Sequence, residues 1–522
     1  MARYNTKAQS STIEVENHEG GTGVKLDPKL ELISILSTGL DNTFYEKLGD
    51  RELRFANVLR QLAKKDPTFV AKALIYARSV MGQRTVTHFG AVQLAKFLSG
   101  NEIGKRFFSK RDRKKERGGI IYRLDDMLEI IACYQALNPE KPLSGAMKRG
   151  FKLALEQADA YELAKYQGKG KAVSLVDVVN LVHPTPTKAM EATFKLLMEG
   201  NLKQHNTVED KNTTTGQKVA AKVKSGEISA SEAEIELKEA KEDNYRELIE
   251  SGKIGYLALL RNLKNILNNT EDKKLVASAC SMLTDPKRVK QALVFPHQID
   301  IALEFLLTEV VQSANRNTMI AALDKAYELA IPNLTELFTH GSTAVVWDTS
   351  SSMTGGSVAL PGNKRINKSP ADKAALIGAT LAKGIGADLY HFASYCQEIR
   401  FNPLDSVNTI KNHGINLTGK VGHGTDFGSI FSTLKGYDRI FIISDMQGAD
   451  NILRNSPFQS YCKKNGTPYL YTIDMAGYGT TMFKQTNKLV QLFGYSADIY
   501  ESIKRAEVNL NDVLKEVEKI VI

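Results

Sequence analysis

The stretch VVWDTSSSMTGG ends an apolar run with one carboxylate and two alternate hydroxyls. Asp348 follows three apolar residues, and Ser350 and Ser352 come two and four positions later. Carboxylate and hydroxyl oxygens are the ligands that hard divalent cations such as Mg²⁺ prefer. The D-x-S-x-S spacing therefore indicates a metal site at the end of a buried strand. The structural alternative is a Ser-rich turn in which Asp348 caps the next helix.

Two later segments could complete such a site. GHGTDFG places Thr425 on a Gly-rich loop before a helix, and RIFIISD places Asp445 at the end of another apolar run. Two carboxylates and three hydroxyls form an all-oxygen set that suits one Mg²⁺ ion and needs neither His nor Cys. One position on the ion would then remain for water or an outside ligand.

Rival chemistries at these residues are weaker. A phosphatase of the D-x-D type needs a second carboxylate where Ser350 stands. The sequence has neither a G-x-S-x-G nucleophile elbow nor a G-x-x-x-x-G-K-[ST] phosphate loop. We therefore predict a binding protein and not an enzyme.

The elements around these residues predict an α/β region after about residue 332. STAVVWD, ADLYHFA, RIFIISD and PYLYTID are short runs rich in β-formers, and helical stretches separate them. Strand–helix alternation is typical of a parallel, doubly wound sheet. In such a sheet ligands bind outside the carboxyl ends of the strands, at a switch point, which is where Asp348 and Asp445 are expected.

The preceding part of the chain is predicted to be helical. Residues 26–334 contain successive helical stretches with apolar residues at three- and four-residue spacing, and short turns separate these stretches. Short connections favour antiparallel helix pairs, in a bundle or a solenoid. The charged segment 205–245 is expected to form a surface insertion such as a helical hairpin. Residues 1 to about 27 are polar and are predicted to be flexible.

Length, charge and cysteines limit the class of protein. A chain of 522 residues predicts two or three domains. It has no apolar run of membrane-spanning length and no signal-like N-terminus, and its four cysteines lie far apart, so we expect a cytoplasmic protein without a membrane partner. The net charge is +10, of which residues 1–340 carry +7. This excess permits a polyanionic partner.

The metal pattern resembles the von Willebrand factor A domain and its metal-ion-dependent adhesion site. By resemblance, Asp348, Ser350 and Ser352 hold the ion, and Thr425 and Asp445 complete the site directly or through water. Domains of this family bind ligands and rarely catalyse.

The chain as a whole resembles the Ro ribonucleoprotein family, whose members carry a TROVE domain. The resemblance favours a bacterial or phage-type member of that family. The resemblance rests on HEGGTG, VDVVNLVHPTP, LALLRNLKNI, FPHQIDIALEF and LFGYSADIYESIKR. It implies a multidomain fold, with an all-α ring of HEAT-like repeats followed by an α/β, Rossmann-like A domain. The implied boundaries are a flexible N-terminus at 1–18, the ring at 19–338 and the A domain at 339–522.

The same resemblance implies a role in RNA quality control. Small structured Y-like RNAs would bind the outer basic surface of the ring, and single-stranded 3′ ends of misfolded RNAs would enter its hole. A 3′ exoribonuclease of the polynucleotide phosphorylase type is an implied partner, and we expect a monomer. The insertion 205–245 and the stretch TGGSVALPGNKRINKS depart from the family pattern.

The candidate RNA contacts are basic residues of the helical part. Lys165 and Lys169 precede the helix SLVDVVNLVH, which ends at His183; the alternative role of His183 is a helix C-cap. Lys148, Arg149 and Lys152 lie one turn apart, and their alternative is a solvated helix face. The basic run Lys105–Arg117 is expected to form a disordered loop, with RNA contact as an equal rival.

Two other classes of function remain open. In the first, the chain is a protein-interaction module whose ion captures an acidic residue of a partner, and any RNA is incidental. In the second, Asp348 serves a metal-dependent hydrolase, which is the weakest hypothesis because no general base lies at motif spacing. Copurified nucleic acid, measured as absorbance at 260 nm, separates RNA binding from protein interaction.

Overall fold

The computed structural model describes residues 13–522 except 42, 99–101, 203–207, 293, 295, 332–340, 355–357, 360–364, 367–368, 451, 453–456, 496–498 and 510–512. Three predictions therefore lie wholly or partly outside the described residues: the first 12 residues of the flexible N-terminus, the boundary at 338/339, and most of TGGSVALPGNKRINKS. The chain divides into two compact units. The α/β unit comprises residues 1–97, 337–403 and 409–521, and the helical unit comprises residues 98–336, 404–408 and 522.

The α/β unit begins with two short strands and four helices. They are β1 (Glu14–Glu16), β2 (Thr22–Lys25), α1 (Pro28–Thr38), α2 (Leu48–Lys65), α3 (Pro67–Ser79) and α4 (Thr85–Leu94). Its later elements are β5 (Thr343–Asp348), β6 (Val358–Ala359), β7 (Arg365–Ile366), α18 (Pro370–Ile385), β8 (Asp388–Phe392), β9 (Cys396–Glu398), α19 (Val407–Ile415, which begins in the helical unit), α20 (Phe427–Thr433), β10 (Arg439–Ser444), α21 (Pro457–Asn465), β11 (Tyr469–Asp474), β12 (Thr480–Thr481), β13 (Leu489–Phe493), α22 (Ile499–Asn509) and α23 (Val513–Glu518).

The main sheet confirms the predicted parallel architecture. Its strands among the described residues follow the order β13-β11-β10-β5-β8-β9, and every neighbouring pair is parallel except β8 with β9. The four predicted strands are β5, β8, β10 and β11. The two edge strands were not predicted, since CQE and LVQLF are too short to stand out as periodic runs.

The sheet is packed tightly against helices around Trp347. This residue of β5 is 1% exposed, and two glycines lie against its ring. A Cβ atom on Gly378 of α18 would lie 2.1 Å from the indole, and one on Gly414 of α19 would lie 1.9 Å from it. These contacts fix the end of β5 and therefore the position of Asp348.

The described part of the N-terminus is ordered, contrary to the prediction of a flexible segment. β1 pairs with β2 in antiparallel fashion, and β2 pairs with β12. The side-chain amide of Asn17 also donates to the carbonyl of Gly448 at 2.8 Å. Backbone pairing with residues more than 400 positions away compensates for the lack of apolar residues in this segment.

The first helices pack with the main sheet. Arg51 of α2 is fully buried and donates to the carbonyl of Ala476, just after β11, at 2.7 Å and to Glu46 at 2.9 Å. Arg54 donates to Glu46 at 2.6 Å and to the carbonyl of Gly477 at 2.7 Å. The compact units thus differ from the implied boundaries, because residues 13–97 belong to the α/β unit.

The helical unit contains α5 (Glu102–Phe107), the hairpin β3 (Arg111–Asp112) and β4 (Arg117–Gly118), and a series of helices. They are α6 (Asp125–Leu137), α7 (Gly145–Glu156), α8 (Ala160–Lys165), α9 (Leu175–Val182), α10 (Glu191–Met198), α11 (Val208–Lys224), α12 (Ala230–Glu250), α13 (Tyr256–Asn269), α14 (Lys273–Leu283), α15 (Pro286–Gln291), α16 (Pro296–Glu309) and α17 (Ala314–Ala330). Helices near in sequence pack together, as α11 with α12 and α16 with α17. The predicted helical hairpin at 205–245 is therefore present as α11 and α12.

The basic run Lys105–Arg117 is ordered, contrary to the prediction of a disordered loop. Arg111 is buried and donates to the carbonyls of Gly118 at 3.1 Å and Glu116 at 2.5 Å. The Arg113 guanidinium lies 4.1 Å from the centre of the Tyr122 ring. These cations satisfy carbonyls and cover an aromatic ring, so their high density does not keep the hairpin unfolded. Across the described ranges, no helix is long and apolar enough to cross a bilayer.

Candidate metal centre and nucleic-acid interface

Three loops at the carboxyl edge of the main sheet carry the five predicted metal ligands. Asp348 ends β5, and Asp445 directly follows β10. The two strands pair in parallel, and β5 lies between β8 and β10, so the chain order reverses there. The loops after β5 and β10 diverge at this switch point and leave the crevice in which doubly wound sheets bind ligands.

The D-x-S-x-S segment folds back on its own carboxylate. The Oδ1 atom of Asp348 accepts from the amide of Ser350 at 2.8 Å, and its Oδ2 atom accepts from the hydroxyl of Ser444 at 2.6 Å. The hydroxyl oxygens of Ser350 and Ser352 are 3.2 Å apart. All three predicted ligands of this segment are at most 3% exposed. The turn therefore places one carboxylate and two hydroxyls together, out of contact with bulk water.

Main-chain hydrogen bonds bring the loop of Thr425 to the same place. The amide of Ser351 donates to the carbonyl of His423 at 3.1 Å, and the amide of Ala449 donates to that of Thr425 at 2.9 Å. Gly422 has a φ of +91°, and a Cβ atom there would lie 2.4 Å from the hydroxyl of Ser394. Only glycine fits this tight, left-handed position. Thr425 is consequently fixed between the loops of the two aspartates.

Two buried oxygen atoms of the site have no hydrogen-bond partner among the described residues. Asp445 uses Oδ1 to accept from the amide of Gln447 at 3.1 Å, but its Oδ2 atom has no partner among the described residues. The same holds for the hydroxyl of Thr425. Both residues are at most 2% exposed. Burying a carboxylate oxygen without a hydrogen-bond partner costs free energy, and a positively charged ligand at the site would offset this cost.

The pKa shifts of the two aspartates also favour a positively charged ligand at this site. Burial raises the pKa of Asp445 well above its usual range, and the negative charge of Asp348 raises it further. Burial is also the main cause that raises the pKa of Asp348. The largest causes for both groups include hydroxyl and amide donors but no cationic side chain. A divalent ion would supply the missing charge and let both carboxylates ionise.

The donor set determines which ion would fit. Within the described ranges, no group of three or more His, Cys, Asp or Glu side chains is arranged to hold a metal. A metal here would therefore have to use hydroxyls, as Ser350, Ser352 and Thr425 provide. Two carboxylates with hydroxyls suit Mg²⁺ or Mn²⁺ better than Zn²⁺, which prefers nitrogen and sulfur.

Several residues at this site were not found from the sequence. Ser444 donates to Asp348, and it could have been noticed as the polar end of the run RIFIIS. The side chain of Gln447 accepts from the amide of His18 at 3.0 Å. Tyr45 is close enough to Ser352 for its pKa to be affected by that hydroxyl. His18 and Tyr45 come from the N-terminal part of the chain, and no local sequence pattern predicts their contact with this loop.

Helix α7 carries three of the predicted RNA contacts. Lys148 and Arg149 are exposed, and Lys152 is half-buried with its ammonium 3.9 Å from Glu156. The carboxylate of Glu156 also accepts from the amide of Thr185 at 2.9 Å. This shared carboxylate links Lys152 to the segment that follows His183 on the neighbouring helix α9.

The other three predicted contacts, Lys165, Lys169 and His183, are exposed. His183 is the C-cap of α9, with a left-handed φ of 46° and its amide bonded to Val179, as the alternative interpretation predicted. The ammonium of Lys169 donates to the carbonyl of Gly200 after α10 at 3.0 Å, and Lys165 donates to the hydroxyl of Tyr161 at 3.2 Å. The basic candidates thus fall into two groups, one on α7 and at the end of α9, and one at the end of α8 and in the loop that follows it.

Comparisons with known proteins agree with this fold. A family model described as the TROVE domain matches residues 222–350. This segment runs from the end of α11 into the turn after β5. The crystal structure of the RO (RSR) protein of Deinococcus radiodurans is similar, with a TM-score of 0.57 and 18% identity over 92% of this chain and 99% of that chain. The similarity includes both helical and α/β parts of the chain.

Proposed function

We propose that the chain is a Ro protein of the TROVE-domain family and binds RNA, with its helical unit contacting phosphates; the TROVE-domain match at residues 222–350 and the similar fold of the Deinococcus radiodurans protein support this. The observation that carries this proposal is that five basic candidates of the helical unit are exposed: Lys148, Arg149, Lys165, Lys169 and His183. Lysine and arginine side chains that neutralise phosphates release counterions, which drives binding. The helical unit thereby supplies affinity without a catalytic step.

The RNA is proposed to be a small structured RNA of the Y-like class. Lys165 ends α8 and Lys169 lies in the loop that follows, where Gly168 and Gly170 on either side of Lys169 have φ angles of 69° and 78°. The loop is thus held in a fixed turn that presents the ammonium groups. Lys165 lies 5.4 Å from the centre of the Tyr161 ring, so an aromatic face is available beside the cation. Phosphates with adjacent unstacked bases, as in RNA loops, match this combination.

A second RNA contact is proposed on the family resemblance alone. HEAT-like repeats would close into a ring, and single-stranded 3′ ends of misfolded RNAs would enter its hole. A 3′ exoribonuclease of the polynucleotide phosphorylase type would then act on the RNA that the protein presents. The protein itself would act as a monomeric scaffold in the cytoplasm.

A competition experiment tests this second contact. One RNA with a single-stranded 3′ tail is compared with the same RNA whose tail is closed by a hairpin. A closed ring admits a strand only by its end, so the open tail should compete far better. Equal competition would contradict the ring and leave a basic helical surface as the only RNA site.

The metal centre of the α/β unit is proposed to hold one Mg²⁺ ion, as in a von Willebrand factor A domain. Asp348, Ser350 and Ser352 would bind it, and Thr425 and Asp445 would complete the site. The unpartnered oxygens of Asp445 and Thr425 support this assignment. When bound, the ion provides positive charge and a coordination position for an acidic ligand.

The metal centre also favours a second function, in which the ion captures an acidic residue of a partner protein and RNA is incidental. The two functions are separated by purifying the protein at low salt and measuring its absorbance at 260 and 280 nm. Copurified RNA that is released by high salt supports the RNA-binding proposal. Protein free of nucleic acid, which also fails to bind added structured RNA, would reject it.

A further inference from the structure

A cavity in the α/β unit is lined by residues of β8, β9 and α19 and by the segments that follow β9 and α19. Its volume is about 470 Å³, and cavities that bind small molecules are typically about 300–1,000 Å³. The described residues that line it include no predicted metal ligand and no predicted RNA contact. The cavity is therefore separate from both sites proposed above.

A fully buried histidine of β8, His391, forms part of the cavity wall. Its Nδ1 atom lies 3.4 Å from the hydroxyl oxygen of Thr349, and that hydroxyl donates to the carbonyl of Phe392 at 3.2 Å. Because the hydroxyl has a single proton, its oxygen accepts from Nδ1–H, and the neutral ring has a lone pair on Nε2. In the described part of the chain Nε2 has no hydrogen-bond partner. A ligand in the cavity could supply one.

A second buried polar atom without a partner lies beside this histidine. Trp347 pairs in register with His391, so the two side chains are on the same face of the sheet. The indole is 1% exposed, and its Nε1–H finds no acceptor among the described residues. The ring atoms next to Nε1 face α19, since a Cβ atom on Gly414 would lie 1.9 Å from Cζ2 and 3.1 Å from Cε2. Gly414 directly follows His413, which lines the cavity.

The cavity also has basic side chains at its solvent side. Arg400, after β9, and His413, on α19, line it and are exposed. The guanidinium of Arg400 lies 3.4 Å from the carboxylate of Glu398, but the Arg400 side chain is 88% exposed. Exposed ion pairs contribute little free energy, so Arg400 can exchange Glu398 for an anionic ligand at small cost. Guanidinium groups bind phosphate oxygens in pairs.

We propose that this cavity binds the phosphate group of a small molecule, with Arg400 and His413 contacting its oxygens and Nε2 of His391 sharing a proton with one of them. A phosphate monoester has a proton with a pKa of about 6, close to the value of about 6.5 for imidazole. One proton can therefore lie between the phosphate and Nε2 around neutral pH. The cavity of about 470 Å³ is much larger than an inorganic phosphate ion, which leaves room for a sugar-sized group.

The shared proton predicts selectivity among anions. Sulfate carries no proton near neutral pH, so it has nothing to donate to the lone pair of a neutral His391. A carboxylate has the same deficiency and fewer acceptor oxygens. We therefore expect phosphate to bind more tightly than sulfate on the order of tenfold, the effect of one lost hydrogen bond to a charged group.

Fluorescence of the full chain tests the proposal directly. Trp347 is the only tryptophan in the sequence, so its emission reports on this face of the sheet and not on the helical unit. The titrants are inorganic phosphate, ribose 5-phosphate and sulfate, and EDTA keeps divalent ions out of the proposed metal centre. A saturable change with either phosphate compound, and weaker binding of sulfate, is the expected result. Calorimetry with the same titrants measures the affinity independently of the indole.

Two substitutions at the solvent side should change the affinity in opposite directions. Arg400→Gln should weaken phosphate binding on the order of tenfold, because it removes a charge-assisted hydrogen bond. Glu398→Gln should strengthen binding, because it removes a repelling charge and releases Arg400. Lys463→Gln is the control, since it removes one positive charge from an exposed position of α21. A merely structural pair would not give higher affinity when Glu398 is replaced.

His391→Leu tests the shared proton. This variant should bind phosphate more weakly and lose the preference for phosphate over sulfate, and circular dichroism checks that it folds. The two substitutions at the solvent side decide the proposal if it does not fold. Tighter binding of ribose 5-phosphate than of inorganic phosphate would identify a phosphate monoester as the ligand, and equal binding would identify the free ion. The absence of both heat and fluorescence change with the phosphate compounds, or wild-type affinity in Arg400→Gln, would overturn the proposal.

Discussion

The five oxygen-bearing side chains at the sheet edge are at most 3% exposed, whereas five of the six basic candidates of the helical unit are exposed to solvent. The buried set has main-chain and side-chain hydrogen bonds that fix it, and two of its atoms lack partners. The exposed set is accessible to solvent, which can hydrate its charges, so it requires no ligand. A buried polar group without a partner thus points to a specific ligand, while exposed cations point only to a class of partner.

This contrast predicts different responses to mutation. The buried site is pre-formed, so removing one member should abolish its function or destabilise its surroundings. The basic surface acts by summed charge, so removing one member should weaken it in proportion. The following predictions test the contrast, beginning with the largest effect.

Asp348→Ala should abolish binding of Mg²⁺ or Mn²⁺ and leave RNA affinity nearly unchanged. Asp348 is the carboxylate to which Ser350 and Ser444 donate, so its loss removes both charge and organisation. Calorimetric titration of the ion measures the first effect, and a filter-binding assay with structured RNA measures the second. Asp388→Asn, at the start of β8, serves as the control. Unchanged ion binding in Asp348→Ala would reject the assigned site.

Arg51→Met should lower the free energy of unfolding by about 3 kcal/mol, near the low end for breaking a buried ion pair. Arg51 is fully buried, and its removal deprives Glu46 and the carbonyl of Ala476 of donors. Urea denaturation measures the change. Arg400→Met is the matched control, because the exposed pair of Arg400 with Glu398 should contribute little. If both variants lost a similar free energy of unfolding, burial would not determine how much the loss of an arginine ion pair destabilises the protein.

The sequence could predict that the D-x-S-x-S turn and Asp445 meet at the carboxyl edge of the sheet because its signals are local. D-x-S-x-S lies within five residues, and each of its partner segments follows a run of apolar β-formers or lies on a Gly-rich loop. Thr343–Asp348 and Arg439–Ser444 are fully buried strands, so they read as continuous apolar runs. Parallel pairing then brings the two carboxyl ends together without further information.

The N-terminal part of the site could not be predicted in the same way. Asn17 and Gly448 are 431 positions apart, and neither lies in a periodic segment. The polar composition of residues 13–27 indicated flexibility, but their order comes from pairing with Thr480 and Thr481. The basic run was misjudged for a related reason, since Arg111 is satisfied by carbonyls of its own hairpin.

His391, a buried residue of β8, makes the stability of the α/β unit depend on pH. Burial, and to a lesser extent the positive charge of His413, lowers the pKa of this histidine to about 4. The unfolded chain therefore binds the proton first, near pH 6.5, and stability should fall as pH decreases from 6.5 toward 4, by about 3 kcal/mol in total. Other charged groups near it are Glu398 and Arg400, which line the same cavity.

The measurement for this prediction is urea denaturation at several pH values. Wild type minus His391→Gln isolates the histidine from the buried carboxylates, whose effect is common to both chains. His413→Gln should reduce the dependence without removing it, because His413 is the lesser cause. An identical pH profile for wild type and His391→Gln would show that His391 does not titrate in this range.

The smallest effect is expected on the basic surface, where charges act by summation. Replacing Lys165 and Lys169 with Gln and His183 with Ala removes two permanent charges, so the slope of log K against log salt should flatten by roughly 1.4–1.8. The salt dependence of binding to a structured RNA measures this slope. Lys218→Gln with Lys224→Gln removes the same charge from exposed positions of α11 and should change it little. Equal flattening by the two variants would mean that RNA affinity depends on the net charge of the helical unit and not on where the charges lie. The whole helical unit would then act as one diffuse basic surface. A selective effect of the first set would show that the fixed turn around Lys169 gives this exposed surface a defined position of its own.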